Sequence, residues 1–152
     1  MTARIAIIGA GLAGLTLAHR LKGHGEVSLF EKGAGVGGRL STFRSAGFQF
    51  DHGAQYFTIR SEGFREFLEP ALQKGIVAPW KPKIATLEEG KAPVDASRDE
   101  TIYVGVPGMD ALCRYLSDGL FVVTEVEVTS CSREDAVWKL VSAAGDELGY
   151  VK

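Results

Sequence analysis

The sequence has 152 residues, of which 45% are hydrophobic and 24% charged, with a formal net charge of −2 at pH 7. These values are ordinary for one soluble globular domain, and the chain is long enough to bury a real core. The charge balance gives no electrostatic case for nucleic acid or an anionic membrane surface. No apolar run approaches the roughly 20 residues of a membrane span, and the N-terminal apolar run is too short for a signal peptide, so cytoplasm is the default address. Cys113 and Cys131 lie 18 apart with no C-x-x-C pair. They suggest neither a disulfide framework nor a zinc site, no metal is expected, and both read as small buried hydrophobes. No internal repeat or low-complexity segment is present.

In chain order, residues 4–8 (Arg-Ile-Ala-Ile-Ile) read as a short buried strand, followed by Gly9-Ala10-Gly11-Leu12-Ala13-Gly14. A helix is predicted from Leu12 to Lys22, with Leu12, Leu15, Leu17, Ala18 and Leu21 at helical spacing and Gly23 and Gly25 as its stop. A second apolar run, Val27–Phe30, ends in Glu31, and the cluster Gly35-Val36-Gly37-Gly38-Arg39 follows at once. Strand, glycine turn, helix, strand, acid is the order of a dinucleotide-binding unit. Gly9 permits the tight turn, Gly11 leaves room for a pyrophosphate beside the backbone, and Gly14 lets the helix pack closely. The helix N-terminus offers unpaired N–H groups and the positive end of its dipole. Glu31 lies 17 residues after Gly14, near the usual spacing of about 20. Its carboxylate can accept from ribose hydroxyls and would repel a 2′-phosphate, which argues against NADP.

Beyond this unit, residues 41–50 carry Phe43, Phe48 and Phe50 and read as strand or extended chain. Ser61 is positioned to cap a helix over 62–74 that Pro70 should kink or split. Ile84–Leu87 and Ile102–Val106 read as strands, with residues 88–100 as an exposed polar loop between them. Pro107 and Gly108 should open a helix with Met109, Leu112, Cys113 and Leu116 on one face and Gly119 as its stop. Three strands are then expected: Leu120–Thr124, Val126–Cys131 and Ala136–Ser142, the last ending at a turn, Ala144-Gly145-Asp146. The fold class expected is therefore α/β, a Rossmann-like βαβ unit with an antiparallel β segment, because a dehydrogenase-type domain would continue to alternate strand and helix. His52 is assigned a structural role. His19 and His24 are expected to face solvent, and Trp80 and Trp138 to pack.

The chain resembles the N-terminal part of FAD-dependent amine-oxidase-superfamily flavoproteins, and most closely the renalase-like oxidoreductases. The carrying residues are Ile7–Leu15, Phe30-Glu31-Lys32, Gly35–Leu40, Phe50–Thr58 (which contains Gly-Ala-Gln-Tyr-Phe-Thr) and Tyr103–Met109 (which contains Val-Pro-Gly-Met). The resemblance implies FAD as cofactor. Gly9, Gly11 and Gly14, with the intervening Ala10, Leu12 and Ala13, would hold the pyrophosphate. Glu31, with the adjoining Lys32, would hold the adenosine ribose, and Gly37, Gly38, Arg39 and Leu40 would lie along the diphosphate. Arginine suits that role because its planar fork pairs with phosphate oxygens. Val128 matches a strand position whose backbone meets the adenine. Gln55 and Tyr56 match a segment near the isoalloxazine ring, although Tyr56 and Phe57 fit a core role equally well.

The resemblance further implies a division into a βαβ nucleotide unit (1–60), a partial substrate-domain insertion (61–105) and a helix with antiparallel strands (106–152). Family members are more than twice as long, so the chain is expected to be an N-terminal fragment, incomplete relative to the family and without an assignable catalytic residue. The activity implied is hydride transfer to the flavin from a small-molecule substrate of dihydronicotinamide or amine type, with oxygen as acceptor. Two alternatives stay open. One is an NAD-dependent dehydrogenase or epimerase. The other is a non-catalytic fragment that self-associates through surface left by a missing C-terminal part.

Overall fold

The computed structural model describes residues 2–96, 99–135 and 137–151. The chain opens with β1 (Arg4–Ile8), α1 (Leu12–Arg20) and β2 (Glu26–Phe30), followed by a 3₁₀ turn at Gly38–Leu40. Two short strands, β3 (Phe43–Ser45) and β4 (Phe48–Phe50), form a hairpin. Its turn residues Ala46 and Gly47 both have positive φ, the type I′ geometry that matches strand twist. β5 (Phe57–Thr58), α2 (Glu62–Gln73), β6 (Val77–Trp80), β7 (Ile84–Thr86), β8 (Val94–Ala96) and β9 (Ile102–Gly105) come next. The chain continues through α3 (Ala111–Ser117), β10 (Phe121–Val123), β11 (Val128–Glu134), β12 (Val137–Ser142) and β13 (Glu147–Val151).

The strands form several small sheets. β1, β2 and β10 make a parallel sheet with β2 in the middle, Leu29 lying opposite both Ile7 and Val122. β11, β12 and β13 form an antiparallel sheet, and β5, β9 and β6 another. Mixed parallel and antiparallel pairing around a βαβ opening is the α/β class expected. The core sits where α1 covers the parallel sheet and meets α3. Ile7, Leu15, Ala18, Leu29, Leu112, Cys113 and Leu116 are buried there, joined by Leu68 and Ala71 of α2 and Val77 of β6.

Several sequence expectations change. α1 ends at Arg20, with Leu21 as its C-cap. Ser61 caps α2, accepting from the Phe64 N–H at 3.3 Å, and Pro70 lies inside one unbroken helix. Proline near a helix end forfeits a single backbone bond, and burial of Leu68 and Ala71 offsets it. The Pro107–Gly108 pair does not open α3, which starts at Ala111 after a turn. The 88–100 segment is not wholly loop: Val94–Ala96 pair with β7, while Ser97 and Arg98 lie outside the described residues. β10 is a parallel neighbour of β2 and does not join the antiparallel segment. β5 and β6 have no counterpart in the sequence reading. The strand expected from Ala136 is β12, although Ala136 itself lies outside the described residues.

Side-chain expectations also shift. Cys113 is buried but Cys131 is exposed, on a strand whose residues after Val128 are exposed on both faces. Trp80 and Trp138 are both exposed. His19 is half-buried and its Nε2 lies 2.7 Å from the Leu116 carbonyl. That oxygen can only accept, so the ring carries its proton on Nε2 and ties α1 to the end of α3.

Candidate functional site

The first glycine turn leaves β1 with Gly9 at φ 97°, and the Gly9 N–H donates to the Phe30 carbonyl at 2.7 Å. Gly14 faces this turn from the first turns of α1. A Cβ on it would lie well inside contact distance of the Gly9 carbonyl oxygen, so no larger residue fits. α1 is capped by Gly11, which has no side chain to accept from the first-turn amides, and no acidic residue follows in that turn. These N–H groups and the helix dipole are thus left for an outside acceptor.

The second cluster lies directly against the first. The Gly37 N–H donates to the Ala10 carbonyl at 3.0 Å, and Gly11 and Gly37 form an isolated parallel bridge. Gly37 has φ 134°, a conformation that L side chains rarely adopt. Two segments that are separate in sequence therefore make one continuous glycine wall at the head of α1. Gly38 and Arg39 are exposed on it, and among the described residues no ion pair neutralises the Arg39 guanidinium.

Glu31 is only 9% exposed and its carboxylate is already engaged. Oε2 accepts from the Ala10 N–H and Oε1 from the Gly33 N–H, both at 2.8 Å. A carboxylate has about four lone-pair sites, so each oxygen can still accept one more hydrogen bond. Glu31 thus fastens the glycine turn to the end of β2 while keeping acceptor capacity for a ribose. Its backbone is paired as well, donating to the Val123 carbonyl at 2.8 Å and accepting from the Val126 N–H at 3.0 Å. This second, structural role is invisible in the spacing.

The other expected positions divide. Ala10 and Leu40 are buried in the core, so only their backbones can face a ligand. Leu12 is half-buried, whereas Ala13 and Lys32 are exposed. Val128 begins β11 two residues beyond the Val126 bond to Glu31. Gln55 is exposed and Tyr56 half-buried in the stretch leading to β5, directly after Ala54, whose N–H donates to the Arg39 carbonyl at 2.8 Å. Phe57 packs against Phe64 and Tyr103, which is a core role. Among the described residues no group of three His, Cys, Asp or Glu side chains could hold a metal, and no helix is long and apolar enough to cross a membrane.

Sequence reasoning missed a polar cluster behind the second glycine segment. Asp110, 6% exposed, accepts both Arg44 terminal nitrogens, at 2.7 and 2.9 Å, and faces Arg114 Nε at 3.3 Å. Hydrogen bonding from Arg44 holds the Asp110 carboxyl below the usual carboxylate range, against the opposing effect of burial, and the same contact raises Arg44. Thr42 Oγ1 donates to Asp51 Oδ1 at 2.6 Å and accepts from the Asp110 N–H at 3.1 Å. These partners are up to 68 residues apart in the chain, so no local pattern links them. Burial, and secondarily the Asp110 charge, pushes the nearby Cys113 thiol up to about 12.

A βαβ opening, a glycine wall at an uncapped helix head and an acid at the end of the second strand define a dinucleotide-binding Rossmann-like unit. Residues 7–70 match the family model of the NAD(P)-binding Rossmann-like domain. Among curated proteins, the chain is 49% identical over 77 residues to 4,4′-diapophytoene desaturase (4,4′-diaponeurosporene-forming) of Staphylococcus aureus strain Newman, covering 43% of this chain and 15% of the relative. The solved CLA-producing fatty acid isomerase of P. acnes superposes with a TM-score of 0.74 at 14% identity, covering 93% of this chain and 56% of that one. A proposed FAD-containing monooxygenase of Photorhabdus luminescens subsp. laumondii TTO1 does so with a TM-score of 0.61 at 18% identity, covering 99% and 38%. At these identities the structural likeness establishes the fold. The chain spans 15% of the desaturase and 38% to 56% of these two solved structures.

Proposed function

We infer that this chain is the dinucleotide-binding portion of an FAD-dependent oxidoreductase. The observation that carries this reading is the meeting of the two glycine segments at the uncapped head of α1, with Glu31 fixed beside them. The residues fit the group. The α1 amides and the exposed Arg39 would take the phosphates, the Gly11 and Gly38 backbones would allow close approach, and Glu31 would accept from the adenosine ribose. When bound, FAD would supply a two-electron acceptor, with oxygen as the terminal oxidant. The chain's own residues bind and orient it, and none is assigned to the chemistry.

For the substrate, the Gln-Tyr-Phe-Thr likeness alone favours a renalase-like dihydronicotinamide, with amines as the broader class. The desaturase similarity covers 43% of this chain and leaves that choice open.

NAD is the second reading, because the matching family model describes NAD(P)-binding domains. The Gly37-Gly38-Arg39 segment set against the first glycine turn supports FAD over NAD. The test is to mix purified protein with FAD or NAD and remove the excess by gel filtration. Yellow protein that releases FAD on denaturation is the expected result. Colourless protein whose melting temperature rises with NAD alone would overturn it. The same column reads the proposal of self-association. Phe43, Phe48 and Phe50 expose a large aromatic face on the β3–β4 hairpin, and a clean monomer at high concentration would retire that idea.

A further inference from the structure

The polar cluster around Asp110 lies outside every role given above, yet it is built onto the chain that leaves the glycine wall. Thr42 stands two residues after Leu40. Its hydroxyl has one proton, given to Asp51, and it accepts from the Asp110 N–H, so its donor and acceptor sides are both fixed. Asp51 Oδ1 also accepts from the Met109 N–H at 3.1 Å. The two amides that lead into α3 are therefore satisfied by residues of the 42–51 hairpin region. The Asp110 side chain returns the connection through Arg44.

α3, so anchored, bears on the glycine wall itself. Leu112 and Cys113 share the core with Leu40, and the Cys113 thiol lies 3.9 Å from the Gly37 carbonyl. The Ala54 N–H, three residues past Asp51, donates to the Arg39 carbonyl at 2.8 Å. The segment from Gly37 to Thr42 is thus held at its start by Ala10, in its middle by Ala54 and at its end by Asp51 and Asp110.

We propose that Thr42 and Asp110 are positioning residues for the dinucleotide site: with Arg44 and Asp51 they form a lock that sets Gly37-Gly38-Arg39 against the Gly9–Gly14 turn. The lock acts through backbone placement, since phosphate recognition by main-chain amides and one guanidinium depends on where the segment lies. This inference rests on the reading of that segment as a phosphate-binding wall.

The experiment uses the full chain and four variants: Thr42→Val, Thr42→Ser, Asp110→Asn and, as a control on the exposed Arg60–Glu100 pair, Arg60→Gln. FAD affinity is measured by titration, and amide hydrogen exchange is followed on the ligand-free proteins. Thr42→Val and Asp110→Asn should each weaken FAD binding by about tenfold, as expected for losing a part-buried hydrogen bond worth about 1.4 kcal/mol. Thr42→Ser, which keeps the hydroxyl, and Arg60→Gln should bind within about twofold of the parent. Exchange should rise selectively at the Gly37, Leu40 and Ser41 amides, which are hydrogen-bonded in the parent, while β1 and β2 stay protected.

Unchanged affinity in Thr42→Val and Asp110→Asn would overturn the lock. So would exchange that rises uniformly through the sheet, which marks a merely structural residue. If the parent binds no FAD, the cofactor reading fails separately. The exchange pattern then still decides whether the lock holds the segment.

Discussion

A methyl group on Gly14 has nowhere to go, because the Gly9 carbonyl occupies its place. Gly14→Ala is expected to cost about 1–3 kcal/mol through overpacking, read as a lower urea midpoint, and to weaken dinucleotide binding because the turn must shift. The two cysteines give an independent reading at the same scale. Cys113 is buried with its thiol pushed up to about 12, whereas Cys131 is exposed. The thiolate is the reactive form. A disulfide reagent such as DTNB at mildly alkaline pH should therefore titrate one thiol in the native protein and two after denaturation. Two rapid thiols in the native state would contradict the burial of α3.

Among the elements, α2 depends on its cap and its buried face. Ser61→Ala removes the acceptor for the Phe64 N–H and should cost about 1 kcal/mol, measured by denaturant unfolding. The pairing of the β3–β4 hairpin with the start of α3 should appear in the pH dependence of stability. Hydrogen bonding to Arg44 lowers the folded-state pKa of Asp110 below its unfolded value. The native state therefore binds this proton less readily than the unfolded chain. The contribution is complete above the unfolded value, near pH 4, and is lost as pH falls through the lower folded value. Asp110→Asn should flatten this part of the acid limb, and an unchanged limb would show that the pairing does not contribute.

At the scale of the whole molecule, a ligand that binds only the native state raises its stability by mass action. FAD at 100 times its dissociation constant should add about 2.7 kcal/mol, seen as a higher melting temperature that tracks FAD concentration. If Glu31 holds the ribose as proposed, the same titration with NADP should give no shift, because its carboxylate would repel a 2′-phosphate. Much of this organisation was legible in the residues. The βαβ opening, the glycine turns, the Ser61 cap and the apolar face of α3 all follow from local spacing and residue type. β5 and β6 were not legible, since strands of two and four residues carry too little periodicity to read. β10 was legible as a strand, but its parallel partner was not.

The sequence by itself determined the opening of this protein: a strand, a turn that only glycine can make, a helix with a bare head and an acid at the next strand's end. Those properties are set within short stretches, by steric freedom at glycine and by hydrophobic spacing. Tertiary structure alone decided that the two glycine segments form one wall, that Glu31 also ties the turn to β2, and that Thr42, Arg44, Asp51 and Asp110 meet. These are contacts between groups as much as 68 residues apart in the chain. They arise only when burial of the shared core brings α1 and α3 together with Leu40, from which the chain runs into the hairpin, and no local pattern encodes which distant partner a polar side chain will find.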